Sequence, residues 1–339
     1  MVGKDRVFII AEGGVNHNGD PELARRLVDT AREAGADAVK FQTFAPEQLV
    51  AAGAARAAYQ QANMPDRDES QLEMIRRLAL SGEAFRELKE YCDRAGIMFL
   101  STPFDYQSVD LLYDLGVPLF KVGSGELTNY PLLEYIAGKG KPVIVSTGMA
   151  TLGEVEQALV VVREAGAQDV TLLHCTSSYP TPYEDVNLRA MVTLERAFGV
   201  PVGYSDHTPG FEVAVAAAAL GARVVEKHFT LDRNLEGPDH KASLEPGELT
   251  AMVRAIRHVE AALGDGFKRA TPAERDTIRA ARRSLVAARH IVAGELITAD
   301  NLTLKRPGTG IPPAMWDIVI GRRARVDIPA DTVLTWEMV

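Results

Sequence analysis

The chain is short of several things, and each shortage removes a class of protein. It has two cysteines, Cys92 and Cys175, too few for a disulfide-stapled scaffold, so it is expected in the reducing cytoplasm. Cys92 lies in a helical segment and reads as packing. Cys175 lies near the end of an apolar run and reads as a buried, inert thiol. No apolar run approaches the roughly 20 residues that a bilayer-spanning helix needs. Met1–Val7 leads straight into the first apolar run, so no secretory leader is expected. Positive charge is also in deficit: 37 Lys and Arg against 46 Asp and Glu give a net charge of −9. That argues against non-specific binding to nucleic acid or to an anionic membrane. Gly123-Ser124-Gly125 is not a dinucleotide fingerprint, and no Walker-type lysine follows it.

What is present is a repeat of short apolar runs that end in reactive residues. Val7–Ala11 leads to Glu12, Ala38–Val39 to Lys40 and Gln42, and Met98–Leu100 to Ser101 and Thr102. Leu119–Val122 contains Lys121 and leads to Ser124 and Glu126, and Val143–Val145 leads to Ser146 and Thr147. Val170–Leu173 leads to His174, Cys175 and Ser177, Val202–Tyr204 to Ser205, Asp206 and His207, and Val224–Val225 to Glu226, Lys227 and His228. Such runs, separated by helical spacing, read as buried parallel strands. Helices are expected over Pro21–Ala34, Gly82–Ala95, Gly153–Ala165 and Phe211–Leu220, with Gly35, Gly96, Gly166 and Gly221 ending them. Eight strand–helix units predict an α/β fold, a (β/α)8 TIM barrel, with catalysis at the carboxyl ends of the strands.

The predicted barrel spans residues 1–270, a linker 271–283, and a small, mostly β module 284–339. In that module β-type runs are expected at Ser284–Ala287, Gly294–Thr298 and Ala324–Ile328. His290–Thr298 and Asp327–Thr335 resemble each other, which suggests pseudo-symmetry. Ala45–Ser81, with its charged stretch Asp66–Glu69, is too long for a plain βα turn. It reads as a lid or binding loop, or equally as a solvated insertion.

His207 and His228 sit at matched ends of neighbouring strands, so their imidazoles can converge on a divalent metal and leave positions open for water and substrate. His174 lacks an evident partner, and His240 reads as a loop residue. Lys40 and Lys121, if buried, must meet an anion. That anion is a phosphate or carboxylate ligand, or else Glu12 or Glu126 in a salt bridge. A Schiff-base lysine is a third reading. Thr102, Ser124 and Ser205 offer neutral donors to phosphate oxygens, and Glu12 and Glu126 are candidate acid–base groups. Arg306 lies in the turn-rich loop Lys305–Ile311, where a plain surface role is the default.

Taken together, the motifs resemble the sialic acid synthase family. They are Ala11-Glu12, Asn16-His17-Asn18-Gly19, Val39-Lys40-Phe41-Gln42-Thr43, Ser101-Thr102-Pro103-Phe104-Asp105 and Lys121 with Gly123-Ser124-Gly125-Glu126. Ser146-Thr147-Gly148-Met149, His174-Cys175-Thr176, Tyr179-Pro180, Ser205-Asp206-His207, Glu226-Lys227-His228-Phe229-Thr230 and Gly237-Pro238-Asp239 complete the set. The resemblance covers essentially the whole chain, and the last segment resembles an antifreeze-like (SAF) domain. It implies condensation of phosphoenolpyruvate with an open-chain N-acylated amino-sugar to a nine-carbon 2-keto acid, with phosphate lost by C–O cleavage. It further implies that Lys40, Thr102, Lys121, Ser124, Ser177 and Ser205 hold phosphoenolpyruvate. His207 and His228 would hold Mn²⁺, Mg²⁺ or Co²⁺. Gln42, Asn63, Tyr179 and Asp239 would face the sugar, with Glu12 and Glu126 as acid–base or water-orienting groups. Arg306 would reach the sugar from a partner's small domain in a domain-swapped homodimer. N-acetylmannosamine, giving N-acetylneuraminate, is the first expectation for the sugar. A 2,4-diacetamido-trideoxy hexose, giving legionaminate by the same steps, is the second. A Schiff-base aldolase and a non-enzymatic binding protein are the readings from other classes.

Overall fold

Each of the eight apolar runs becomes a parallel strand in the computed structural model, which describes residues 6–64, 67 and 69–339. Met1–Asp5 and, within the charged stretch, Asp66 and Asp68 lie outside the described residues. The strands are β1 (Phe8–Gly14), β2 (Ala38–Thr43), β3 (Met98–Pro103), β4 (Phe120–Val122), β5 (Val143–Ser146), β6 (Val170–Cys175), β7 (Val202–Asp206) and β8 (Val224–His228). Their order is β3-β2-β1-β8-β7-β6-β5-β4, and β3 packs beside β4 to complete the ring. This is a TIM barrel.

Side chains alternate along each strand, so every second residue points into the barrel. Ile10, Ala38, Leu100, Leu119, Ile144, Leu173 and Val224 pack together as one apolar cluster inside it. Two residues further along each of those strands stand Glu12, Lys40, Thr102, Lys121, Ser146, Cys175 and Glu226. The barrel is thus filled by an apolar layer with a polar layer stacked on it toward the carboxyl ends. The outward-facing residues, among them Ile9, Val39, Phe99, Val145, Tyr204 and Val225, belong to the larger core against the helices. Capping fixes those helices as the sequence suggests. Asp20 accepts from the Glu22 amide ahead of helix Pro21–Glu33, and Thr151 and Glu154 form a reciprocal box ahead of Leu152–Glu164.

The long β2–β3 connection holds three short helices, Pro46–Leu49, Ala58–Asn63 and Gln71–Leu78. Met64, Met74 and Leu78 pack with Val15 into a small core of their own, with Phe44 and Ile75 against it. That core, joined to the loop after β1 through Val15, favours the lid over the solvated insertion. Among the described residues no helix is long and apolar enough to cross a membrane.

Met1–Gly264 and Asp265–Val339 form two compact units. In the second, helix Arg275–Ala281 precedes β9 (Ser284–Ala287), which pairs antiparallel with β10 (Leu302–Lys305). The runs expected as strands at 294–298 and 324–328 make only isolated bridges, because each turns away after one rung. The two similar segments do pair about a pseudo-twofold. Ile291 and Ile328, equivalent in the repeat, exchange both backbone hydrogen bonds at 2.9 and 2.8 Å. The equivalent turn residues Gly294 and Asp331 both have positive φ, 83° and 64°. Ile297 and Leu334, again equivalent, are fully buried in this unit's own core.

Candidate active site

The polar layer brings two lysines and two carboxylates into one buried cage. Lys40 Nζ lies 2.7 Å from Glu12 Oε2 and 3.7 Å from Glu226 Oε2, and it donates to Thr102 Oγ1 at 2.9 Å. Lys121 Nζ lies 3.4 Å from Glu226 Oε1 and donates to Ser146 Oγ at 2.8 Å. Ser205 Oγ donates to the same Glu226 oxygen at 2.9 Å. The expected lysine salt bridge therefore forms to Glu12, and its second carboxylate is Glu226 rather than Glu126. Burial alone would raise Glu226, but Lys121, Lys40 and the Ser205 hydroxyl hold it down at about 2. Burial pushes Glu12 up to about 7 against the pull of Lys40. Two carboxylates in one cage with such different proton affinities divide the labour. Glu226 is the carboxylate that the lysines favour as an anion, and Glu12 is the one that burial pushes toward protonation. A β-bulge sets Glu12 apart: it pairs with Lys40, whereas Gly14 pairs with Phe41. Gly14 has φ 51°, and a Cβ there would lie 3.3 Å from Glu12 Oε1 and 3.4 Å from His228 Cε1. Glycine thus lets the backbone pass between the two groups.

His207 and His228 do converge, with ring centroids 5.4 Å apart, and Tyr179 stacks at 4.1 Å on His207 and 5.9 Å from His228. His207 Nδ1 donates to the Thr176 carbonyl at 2.8 Å, which leaves Nε2 as its ligand atom. His228 Nδ1 is buried without a hydrogen-bond partner. Burial and the neighbouring His207 hold its pKa well below the ordinary value, so it stays neutral, as metal ligation requires. An orphaned imidazole nitrogen beside an oriented one fits a metal ion held by this pair. Among the described residues no group of three or more His, Cys, Asp or Glu could hold one, so most positions would fall to substrate and water. Cys175 is buried as expected, but its Sγ lies 3.7 Å from His207 Nδ1, so it belongs to the wall of this site.

Ser124 and Ser177 meet at Gly148. Ser124 Oγ accepts from the Gly148 amide at 3.0 Å, and a Cβ on Gly148 would lie 2.3 Å from Ser177 Oγ. Asp239 is buried, and burial raises its pKa to about 6 although His207 pulls it down. Asn63, on the lid, donates to the Pro238 carbonyl beside Asp239 at 2.6 Å. Gln42 Nε2 approaches Glu12 Oε1 at 3.4 Å. A cavity of about 520 Å³ joins Gln42, Tyr179, His228 and Asp239 to Phe44, Leu49, Met74, Ile75 and Phe104. Polar groups thus line its floor and the lid supplies an apolar wall.

Other expected residues are placed elsewhere. Glu126 accepts from Asn129 at 2.7 Å, a local tie ahead of helix Tyr130–Ala137. His174 Nε2 donates to the Val186 carbonyl at 2.7 Å. His240 is no open-loop residue. It is fully buried and bound to Thr230 Oγ1 at 2.7 Å. Arg306 belongs to the second unit, where it is exposed and its Nε donates to the Ala281 carbonyl at 3.0 Å. Glu226 and Gly148 are the site residues that reading the sequence missed. The signal for Glu226 was present, since it shares an inward face with His228 two positions on.

Comparison with known proteins places this geometry in a lineage. The model of the NeuB family matches residues 27–268, and that of the SAF domain matches 282–339. The N,N'-diacetyllegionaminic acid synthase of Campylobacter jejuni is 49% identical over 331 residues, covering 97% of this chain and 99% of the relative. The Legionella pneumophila enzyme of the same name is 47% identical over 334 residues, covering 97% and 94%. The crystal structure of N-acetylneuraminic acid (sialic acid) synthetase from Leptospira borgpetersenii superposes with a TM-score of 0.72 at 36% identity, over 80% of this chain and 90% of that one.

Proposed function

The chain belongs to the NeuB family, as a sialic acid synthase-like enzyme with a carboxyl-terminal SAF domain, and on that premise we propose that it condenses phosphoenolpyruvate with an open-chain N-acylated amino-sugar. The observation that carries this reading is the cage of Lys40, Lys121, Glu12 and Glu226 beside the His207–His228 pair. Both lysines are buried against resident carboxylates: Glu12 and Glu226 raise Lys40 against the effect of burial, whereas burial outweighs Glu226 at Lys121 and lowers it. An incoming phosphate or carboxylate exchanges with Glu12 at Lys40, and Glu12, poised near neutrality, takes up or gives back a proton as it does so. Thr102, Ser205, Ser124 and Ser177 supply the neutral donors around it. Carbon 3 of phosphoenolpyruvate then attacks the sugar aldehyde. Water adds at carbon 2 of the resulting oxocarbenium ion, and phosphate leaves by C–O cleavage. A divalent ion such as Mn²⁺, bound by His207 and His228, would supply Lewis-acid polarisation of the aldehyde oxygen. Asp239 and Tyr179 orient the sugar beside that pair, and the lid excludes water that would compete for the activated enol. In a homodimer, Arg306 of one subunit would complete the partner's sugar site. Its exposed guanidinium, on a module with its own core, supports that role.

For the sugar, a 2,4-diacetamido-2,4,6-trideoxymannose is favoured over N-acetylmannosamine. The lid wall of Leu49, Met74, Ile75 and Phe44 suits acetamido methyls and a deoxygenated carbon better than a terminal hydroxymethyl, which would lose hydrogen bonds to water there. The two relatives at 47% and 49% identity are named for N,N'-diacetyllegionaminic acid, the product type that this sugar would give. N-acetylmannosamine is the second reading, supported by the named activity of the Leptospira neighbour. Purified protein is assayed for phosphate release from phosphoenolpyruvate with each sugar and Mn²⁺. Faster turnover of the diacetamido sugar is expected. Preference for N-acetylmannosamine would reverse the choice, and release with neither sugar would refute the synthase reading.

A further inference from the structure

The last two rungs of the β7–β8 ladder lead directly to the histidine pair. Ser205 is opposite Glu226 and Asp206 is opposite Lys227, and His207 and His228 follow one residue on. The Ser205–Glu226 rung points into the barrel, as does the histidine pair beyond the ladder, where Ser205 bonds Glu226 and the imidazoles converge. The Asp206–Lys227 rung points the other way, since side chains alternate faces along a strand. Lys227 stands between Val225 and Phe229, both members of the core against the helices. There Lys227 Nζ lies 3.0 Å from Asp206 Oδ2, with both side chains fully buried. Asp206 Oδ1 also accepts from the Thr208 amide at 2.9 Å and from its hydroxyl at 2.8 Å, while Lys227 donates to the Thr208 carbonyl. His207 is therefore held on both sides, through Asp206 before it and Thr208 after it, by one lysine of the neighbouring strand.

A buried ion pair in an apolar layer is poor value as a source of stability, because desolvation cancels its attraction and well-packed apolar residues often do as well. What it does supply is register. A slip of one residue would turn every side chain of β8 to the other face and leave both charges unpaired. We propose that the Asp206–Lys227 pair on the outer face of the barrel is the positioning device that sets His207 and His228 at ligand separation on the inner face. The inference rests on the reading of those histidines as metal ligands. Neither Asp206 nor Lys227 touches substrate or metal; both act through the backbone of the strands that carry the ligands.

The test is the full-length double variant Asp206→Asn/Lys227→Met. It removes both charges together, keeps an amide oxygen for Thr208, and keeps a long flexible side chain against Val225 and Phe229. It is expected to remain folded with a cooperative thermal transition. Its Mn²⁺ affinity, titrated by electron paramagnetic resonance of the free ion, should fall about tenfold or more, the usual effect of losing an outer support of a metal ligand. kcat should fall with it, whereas KM for phosphoenolpyruvate should move less, because Lys40 and Lys121 stand on β2 and β4. A folded variant with unchanged Mn²⁺ affinity would overturn the proposal, as would one whose KM for phosphoenolpyruvate rises as steeply as its metal affinity falls. If the wild type binds Mn²⁺ no better than His207→Ala/His228→Ala, the metal reading fails instead. In that event imidazole ¹⁵N resonances decide: the Nδ1–H tautomer of His207 should be single in the wild type and averaged in the double variant, and identical spectra would overturn the positioning role. If the double variant does not fold, Lys227→Arg keeps charge balance while changing reach, and undiminished Mn²⁺ affinity in it would also count against the pair.

Discussion

Gly148→Ala isolates the anion-binding donors from the fold. A Cβ at this position would lie 2.3 Å from Ser177 Oγ, 2.8 Å from Ser124 Oγ and 3.2 Å from Cys175 Sγ. All three atoms are ends of side chains, so the clash is relieved by rotating both hydroxyls away rather than by moving backbone. The fold loses the Gly148–Ser124 hydrogen bond, worth about 1 kcal/mol. Tm should accordingly fall by only about 2–4 °C. Binding loses more. One hydrogen bond to a charged ligand is worth about 1.5–3 kcal/mol, so KM for phosphoenolpyruvate should rise roughly 10- to 100-fold, with KM for the sugar little changed. Gly203→Ala is the contrasting control. Its Cβ would meet the Val224 carbonyl oxygen at 2.2 Å and Leu173 Cδ2 at 2.7 Å, which is backbone of the next strand and the apolar layer beneath the site. The Val224 carbonyl cannot rotate aside, so overpacking should unfold or strongly destabilise the barrel. Steady-state kinetics and thermal melts of both variants make the measurement. If Gly148→Ala leaves KM for phosphoenolpyruvate unchanged, or melts as early as Gly203→Ala, the assignment of Ser124 and Ser177 to the anion is wrong.

The remaining predictions use the same partition. His17 is buried, and burial lowers its pKa from 6.5 to about 4. The unfolded chain therefore binds the extra proton between those values, and stability falls as pH drops through that window by roughly 3 kcal/mol. His17→Gln should flatten that part of the curve in urea unfolding, and an unchanged slope would assign the acid sensitivity to other groups. Chelation should abolish turnover and Mn²⁺, Co²⁺ or Mg²⁺ restore it, with His207→Ala and His228→Ala each inactive but folded; full activity in metal-free buffer would remove the Lewis-acid role. Mixing Arg306→Ala subunits with His207→Ala subunits should recover part of the activity if sites are shared across a homodimer. No recovery despite demonstrated subunit exchange would confine Arg306 to its own chain.

How far the sequence revealed this depended on which physical rule carried the information. Alternation along a strand is local, so the residue two beyond each inner apolar side chain could be located without coordinates. Lys40, Lys121, Ser205, His207 and His228 were legible more simply, as the polar residues that end or interrupt the apolar runs. Glu226 obeys the same rule but stands in a Glu-Lys-His run in which the histidine carries the more familiar chemistry. Its importance comes from having both lysines within reach, and the inward side chains of β2, β4 and β8 face one another only across the closed barrel. Gly148 was invisible for a related reason: an absent side chain matters only once Ser124 and Ser177 arrive from two other strand ends. Of the expected strands in the small module, Ser284–Ala287 forms, whereas 294–298 and 324–328 fail because they pair by single rungs. There the repeat was a better guide than β propensity, since equivalent residues Ile291 and Ile328 pair with each other.

The layering also explains why the charged cage can exist at all. Four ionisable groups in a barrel would be ruinous if placed at mid-height, where no neutral donor or opposite charge could reach every one of them. Here the apolar layer of Ile10, Leu100, Leu119, Ile144, Leu173 and Val224 takes up the packing role below, and the polar layer forms a single plane. Within it Lys40 and Lys121 each meet a carboxylate and a hydroxyl. The atoms left over are on the acceptor side. Glu226 Oε2 and His228 Nδ1 are buried with no hydrogen-bond partner. A plane whose cations are satisfied by carboxylates, and whose carboxylates are not fully satisfied in return, is arranged for exchange. Under the proposed function an arriving anion would take over the lysines, a proton would settle Glu12, and the imidazole would meet the metal ion. The same residues that make the unliganded barrel barely content with its charges therefore define what it should bind.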